Sequence, residues 1–496
     1  MSDSYILSVD QSTQGTKALL FDGAGRLIHR ADVPHRQLIN DAGWVGHDLN
    51  EIYRNTIAAT EKVIREAGID PADIAGLGIT NQRETAAAWL RSDGSPVCEA
   101  VVWQCARAAS ICDRIEQDGY AQEVKDITGI PLSPYFSAGK MAWILRNIPA
   151  ARQAADTGNL CLGPIDSYLI FRLTKGATFA TDYSNASRTQ VFDIRSLTFS
   201  DRICEIFEIP KSCLPAVYDS NAGYGMTDLE GVLPRPIPIH ASMGDSHSAL
   251  FGQGCIQTGM AKATHGTGSS VMMNVGEAPV ISRSGLASSI AFCMDGKVNY
   301  CLEGNINYTG AVITWLSGDL GLFASPGESE ALARLANPND TTYLVPAFTG
   351  LGAPYWDSDA RGILCGLTRT TGKAEIVRAG LDCIAYQIGD IVEAMRTETG
   401  IQNIELRVDG GPTKNAYLMQ FESNVLNAPV LVPKDDELSG IGAAYAAGIA
   451  LGLYDRDTLF AQASYQRYLP VADDAWRAGK IGGWKQAVGM IHKSVK

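Results

Sequence analysis

Near the middle of the chain, Ser242-Met243-Gly244-Asp245-Ser246-His247 puts a carboxylate directly after a β-rich run, and Gly266-Thr267-Gly268 follows soon after. A Gly/Thr turn of that kind lets backbone N–H groups approach a phosphate. At the other end, the apolar run Tyr5 to Asp10 ends in an acid and continues as Gln11-Ser12-Thr13-Gln14-Gly15-Thr16-Lys17. There Thr13 can donate from backbone and hydroxyl, and Lys17 adds charge. A third turn, Asp409-Gly410-Gly411-Pro412, closes the run Leu406-Arg407-Val408. Phosphoryl transfer needs donors around the phosphates, a divalent cation held by carboxylates, and a group to accept the proton of the attacking hydroxyl. These stretches hold those residue types. Taken singly, each hairpin also reads as an ordinary polar turn.

A second set of residues could grip an acceptor. Arg83 and Glu84 place fixed donors beside an ionised acceptor, which suits neighbouring hydroxyls, and Trp103 and Tyr135 could stack on a carbon skeleton. By themselves they equally describe a surface ion pair and core aromatics.

The elements that must position these groups follow from pattern. Tyr5 to Asp10 and Ala18 to Phe21 read as strands around a polar turn, and Met260 to Thr264 and Val271 to Val275 repeat that arrangement around Gly266-Thr267-Gly268. The duplication predicts two related α/β domains, 1–252 and 253–496, facing each other, with a hinge in the Gly-rich stretch Gly252 to Gly259. Asn50 to Ala67 has helical periodicity, with Asn50 as N-cap and Gly68 as stop. Ile74 to Thr80 reads as a strand delivering Arg83 and Glu84 at its C-terminal end, where open α/β sheets place ligand groups. Asn415 to Leu426 reads as a helix, and Ile441 to Leu453 as a closely packed buried one.

Bulk properties narrow the class. The 496 residues are 46% apolar and 19% charged, an ordinary globular composition. A net charge of −13 without a basic stripe argues against nucleic-acid binding. The 11 cysteines show no metal-ligand spacing and no secretory leader pattern opens the chain, so reduced core thiols in a cytoplasmic protein are expected. The longest small-apolar run is too short to span a bilayer. No third glycine or distal acid makes Gly266-Thr267-Gly268 a dinucleotide fingerprint, and no Gly-Lys-Ser/Thr marks a P-loop.

The two hairpins and the Asp-Gly-Gly turn together resemble the ATP cleft of the actin-like superfamily. Longer segments are more specific. Tyr135-Phe-Ser137-Ala-Gly-Lys140-Met-Ala-Trp143-Ile-Leu-Arg-Asn147 fits one signature of the FGGY carbohydrate kinases, and Gly362-Ile-Leu-Cys-Gly366-Leu with Glu375-Ile-Val-Arg-Ala-Gly-Leu-Asp382 fits the second except at Gly380. Gly43 to Asp48, Gly78 to Thr85, Val102 to Cys105, Thr181 to Arg188, Val345 to Asp357 and Arg407 to Gly411 resemble the glycerol-phosphorylating branch, so the likeness spans nearly the whole chain.

This resemblance implies two actin-like (ribonuclease H-like) domains flanking an ATP/substrate cleft. It implies a kinase that moves the γ-phosphate of ATP, with Mg²⁺, onto a small polyol, glycerol first. A four- or five-carbon polyol or ketose (erythritol, xylitol, xylulose, ribulose) is the alternative, and an actin-like assembly ATPase the more distant one. Residue by residue, it makes Asp245 the general base, close to the metal, and Asp10 the other metal-side carboxylate. Thr13, Gln14, Lys17, Gly266, Thr267, Gly310, Gly411 and Asn415 become nucleotide contacts. Arg83, Glu84, Trp103, Tyr135, Asp245 and Ser246 become substrate contacts. A homodimer or homotetramer is implied as well.

Two departures stand out. Ser246-His247 replaces the Gln-Gln that usually follows the catalytic Asp, and Ser269-Ser270 replaces a Cys-aromatic pair. Shorter side chains there predict a larger, more polar pocket. The stretch Glu230 to Pro236 has lost the Gly character of the loop that binds fructose 1,6-bisphosphate in some bacterial members, so that inhibition is not expected.

Overall fold

A computed structural model of the protein describes residues 4–492. The first half forms a six-stranded sheet from β1 (Tyr5–Gln11), β2 (Gly15–Phe21), β3 (Leu27–Pro34), β4 (Ile74–Asn81), β5 (Gly225–Thr227) and β6 (Ile237–Gly244), in the order β5-β6-β4-β1-β2-β3. β1, mainly apolar up to Val9, is buried along nearly its whole length as a central strand, whereas edge strand β3 alternates. The β1–β2 hairpin is antiparallel, and β4 runs parallel to both β1 and β6.

The second half repeats this plan in a seven-stranded sheet. Its strands are β7 (Met260–His265), β8 (Ser269–Gly276), β9 (Ala287–Met294), β10 (Lys297–Ile306), β11 (Glu405–Asp409), β12 (Val430–Pro433) and β13 (Tyr465–Tyr468), ordered β9-β10-β8-β7-β11-β12-β13. Again the first two strands form an antiparallel hairpin and the first pairs in parallel with a much later one, β11. The duplication visible in the turns is thus a duplication of topology. Two related domains of mixed α/β content result.

The helices that matter for the site are α1 (Leu49–Ala67), α2 (Ser137–Asn147), α3 (Asp245–Gly252), α4 (Lys373–Thr399), α5 (Ala416–Leu426) and α6 (Leu438–Ala450). α1 ends at Gly68 in the left-handed region as expected, but its N-cap is Asp48, not Asn50: the Asp48 carboxylate accepts the Asn50 N–H. A carboxylate oxygen two residues earlier is the stronger acceptor for the free N–H groups. Cys105 precedes the helix Ala109–Gln117 that carries Cys112, so the two do not share a helical face.

Helix α6, from the second half, packs on β4, β1 and β6 of the first sheet and along α3. The approach is close enough that a Cβ on Gly442 would lie 1.9 Å from the Ser248 carbonyl oxygen. The apolar layer between the halves includes Ile6, Leu19, Met243, Leu250, Ile441 and Ala444. Gly380, which strays from the second signature, sits in α4 where a Cβ would lie 2.4 Å from Leu316 Cδ1. The close helix contact explains the glycine. No helix among the described residues is long and apolar enough to cross a membrane.

Candidate active site

The first hairpin brings Asp10 opposite Lys17. Its turn is closed by the Ser12 N–H and hydroxyl, both donating to the Gly15 carbonyl at 2.9 Å. Asp10 is buried, and its Oδ1 has no hydrogen-bond partner. Burial pushes its carboxyl up to about 7; Lys17 opposes the shift and Asp245 adds to it. A buried carboxylate with an unpartnered oxygen, within Coulombic reach of a second carboxylate, is a place for a cation. Among the described residues no cluster of three His, Cys, Asp or Glu is placed to hold a metal, so other ligands would have to be water or phosphate oxygens.

Lys17 itself is engaged elsewhere. Its Nζ lies 2.8 Å from Glu437 Oε2, and Arg30 pairs with the same carboxylate. This ties β2 and β3 of the first half to the residue that precedes α6. Gln14 is exposed, and its carbonyl accepts the His35 N–H at 3.1 Å. Thr13 is half-buried and its hydroxyl accepts the Trp103 Nε1–H at 2.9 Å, so the phosphate-type turn and the aromatic wall form one unit. Trp103 meets Tyr135 edge-on at 5.6 Å between ring centroids.

Asp245 opens α3 at the C-terminal end of β6, with a 35% exposed side chain. Arg83 Nε lies 3.2 Å from its Oδ1. The remaining nitrogens of Arg83 are taken: Nη1 and Nη2 donate to Glu303 at 3.0 and 2.9 Å. Glu84 is held by Arg188, whose Nε donates to Glu84 Oε1 at 2.6 Å, and Arg188 Nη1 lies 2.9 Å from Glu303 Oε2. The Ser270 hydroxyl also donates to Glu303, at 2.8 Å. Arg83 and Glu84 are therefore not a side-by-side grip; Arg83 Nε is 3.8 Å from Glu84 Oε1. They are two corners of a buried cluster, Asp245–Arg83–Glu303–Arg188–Glu84.

Burial works against the charges of Arg83, Arg188 and Glu303, and pairing outweighs it. Arg188 and Arg83 hold the Glu303 carboxyl well below its usual range, while Glu303, then Glu84 and Asp245, keep Arg83 charged. His247 packs behind it, fully buried, with Nε2 3.2 Å from the Ser289 hydroxyl. Burial, then Arg83 and Arg188, drive its pKa well below the usual value, which keeps the imidazole neutral. Ser246 is half-buried, and its N–H donates to Asp245 Oδ1 at 2.6 Å.

Lys140 of α2 is also fully buried. Its Nζ donates to the carbonyls of Glu84 (3.3 Å), Phe136 (2.9 Å) and Tyr135. It thereby fastens the Glu84 turn, where φ is +59°, to the Tyr135 loop. Burial pushes its amine down to about 7.

On the other side a cleft of about 620 Å³ is lined by Gly266, Thr267, Gly310 and Gly411, with Tyr308 and Trp315 among its walls. Gly310 lies against the turn: its N–H donates to the Gly266 carbonyl at 2.9 Å, and a Cβ there would be 2.5 Å from that oxygen. Asn415 serves as N-cap of α5, accepting the Leu418 N–H at 3.0 Å and donating to Ser329 at 3.3 Å.

Glu303, Arg188 and Lys140 pack against the candidate site residues, and the pattern of the sequence did not single them out. Arg188 and Lys140 lie inside the segments that carry the family likeness. Glu303 had one local signal, a lone acid in the buried strand Tyr300-Cys301-Leu302-Glu303, which needs a cation from elsewhere.

Known proteins place this geometry. The N-terminal domain model of the FGGY family of carbohydrate kinases matches residues 5–252, and the C-terminal one residues 261–451. Glycerol kinase 1 of Thermotoga maritima is 46% identical, over 98% of this chain and 99% of the relative. Glycerol kinase of Bacillus subtilis is 44% identical over 98% of both chains. The crystal structure of Plasmodium falciparum glycerol kinase with ADP superposes with a TM-score of 0.94 at 34% identity, covering 99% of each chain. A xylulose kinase from Lactobacillus acidophilus shares the fold, with a TM-score of 0.85 at 23% identity over 98% of this chain and 97% of that one. With both domain models matched and such relatives aligned end to end, the chain belongs to the FGGY family of carbohydrate kinases and is a phosphotransferase.

Proposed function

We propose that the protein transfers the γ-phosphate of ATP to a terminal hydroxyl of glycerol. The observation that carries this reading is the setting of Asp245: a part-exposed carboxylate at a helix start, oriented by Arg83 and within electrostatic reach of the buried Asp10 carboxyl. In this reading Asp245 accepts the hydroxyl proton as the oxygen attacks phosphorus. Trp103 and Tyr135 pack on the carbon skeleton, and Arg83 and Glu84 present polar edges to the hydroxyls. Thr13 and the Gly266–Gly268 turn hold the phosphates from opposite sheets. Asp10 and Asp245 would hold Mg²⁺, which would offset the charge of the phosphates. Closing the halves would exclude water, so that a polyol and not solvent receives the phosphate.

Ser270 bears on the substrate. Its hydroxyl is committed to Glu303, so it does not add a free polar group to the pocket, which favours glycerol over a longer polyol or ketose. A coupled ADP assay across glycerol, tetritols, pentitols and ketopentoses tests this. The highest kcat/KM is expected for glycerol; a five-carbon substrate ahead of it overturns the assignment, and polyol-independent ADP release with polymer formation overturns the kinase reading. Asp245→Asn should abolish transfer and retain glycerol binding. The same reading makes the protein a cytoplasmic homodimer or homotetramer, which fractionation and sedimentation check.

A further inference from the structure

Beneath the Gly266–Thr267–Gly268 turn runs a buried hydrogen-bond chain that joins helix α5 to the turn's backbone. Glu422 Oε2 lies 3.1 Å from His265 Nε2, and His265 Nδ1 lies 2.9 Å from the Ser269 hydroxyl. Ser269 in turn is 3.0 Å from Thr309 Oγ1, and Thr309 Oγ1 is 3.1 Å from the Gly266 carbonyl oxygen. Glu422, His265 and Thr309 are fully buried and Ser269 is 5% exposed. The last acceptor, Gly266, lines the nucleotide-sized cleft. Consecutive side chains on β8 point to opposite faces. Ser269 therefore serves this chain while Ser270 serves Glu303 on the acceptor side.

Counting protons fixes the direction of the chain. Each of its links, from Glu422 to the Gly266 carbonyl, needs one hydrogen. The two hydroxyls bring one each. Both remaining protons must therefore sit on the His265–Glu422 pair. Imidazolium against carboxylate, or neutral imidazole against carboxylic acid, both satisfy this, and both put a hydrogen on Nδ1. With a single proton on the pair, either two oxygens face each other 3.0 Å apart without a hydrogen, or another link is left unmade. In a dry site that is costly.

We propose that Glu422, His265, Ser269 and Thr309 form a positioning network for the nucleotide phosphates, with a protonated His265 Nδ1 setting the orientation of every hydroxyl down to Gly266. These are positioning residues: they act on the ligand through the turn. The role rests on reading the adjoining cleft as the ATP site.

The test uses the full-length enzyme with ATP, ADP and glycerol. Ser269→Ala removes the middle link and should raise KM for ATP and Kd for ADP about five- to tenfold, the ratio one buried hydrogen bond supports, while KM for glycerol stays within about twofold. Ser269→Thr keeps the hydroxyl and should restore ATP affinity. Glu422→Gln can donate its carboxamide N–H to His265 Nε2 and leave the hydrogen on Nδ1, so it should keep KM for ATP within about twofold of wild type. In ¹⁵N-histidine NMR, with His265→Asn for assignment, wild type should show a hydrogen on Nδ1. A bare Nδ1, or Ser269→Ala with unchanged ATP affinity or with both KM values raised alike, overturns the network. Wild-type protein that binds no ADP overturns the ATP-site reading, and the network's role falls with it.

Discussion

Replacing Glu303 by Gln keeps the volume and takes one charge out of the buried cluster. The carboxylate now receives both terminal nitrogens of Arg83 and the Ser270 hydroxyl, and Arg188 Nη1 lies 2.9 Å from it as an ion pair. A carboxamide has one oxygen, and its NH₂ would face a guanidinium N–H, so about half of this pairing is lost. Hydrogen bonds to charged groups contribute about 1.5–3 kcal/mol each, and breaking a buried pair from one side costs about 3–5 kcal/mol. Destabilisation of about 3–5 kcal/mol is the expected outcome in chemical denaturation. Glu303 lies in the second half, and Arg83, Glu84 and Arg188 in the first, so the loss also frees Arg83 from its aim at Asp245. If one charge-assisted contact to the acceptor or the base is forfeited, kcat/KM for glycerol drops about 10- to 100-fold, while KM for ATP moves by less than about threefold. Steady-state kinetics with each substrate varied in turn checks the split. An E303Q enzyme with wild-type glycerol kinetics, or one whose ATP KM moves more than its glycerol KM, would refute Glu303 as the anchor of the acceptor side.

Asp10 gives a pH prediction. Its folded-state pKa is raised to about 7, chiefly by burial, so between about pH 4 and 7 the folded protein holds a proton that the unfolded chain has lost. Its contribution to stability therefore declines as pH rises through that window and is flat above it. Without nucleotide or magnesium, Asp10→Asn should be more stable than wild type at pH 8 by about 4 kcal/mol and show no such advantage at pH 4, as read by paired denaturation curves. Lys140→Met should take the ammonium donor from the carbonyls of Tyr135 and Phe136 and leave that of Glu84 to the Ser137 hydroxyl, lowering stability by about 2–4 kcal/mol and raising KM for glycerol more than for ATP. Trp103→Phe removes the link to Thr13 and should raise both KM values about fivefold, since one indole N–H joins the two halves of the chemistry.

What the sequence determined by itself was local. A polar turn between two apolar runs has few backbone solutions, so both hairpins and the placement of Asp10, Asp245 and Thr267 at strand or turn ends were legible, as was the duplication that pairs them. The motifs brought the family with them. Partner choice was not legible, because a charged side chain carries no mark of which distant element will neutralise it. Arg83 and Glu303 are separated by 220 residues, and Lys17 and Glu437 by 420. Read along the chain, Arg83 and Glu84 were neighbours and Lys17 was a free cation. Only packing the two sheets together buried these groups, and burial leaves a charge no choice but to pair. The tertiary structure therefore decided that Arg83 divides itself between Asp245 and Glu303, that Lys17 joins Glu437, and that the adjacent serines of β8 serve opposite sides of one site.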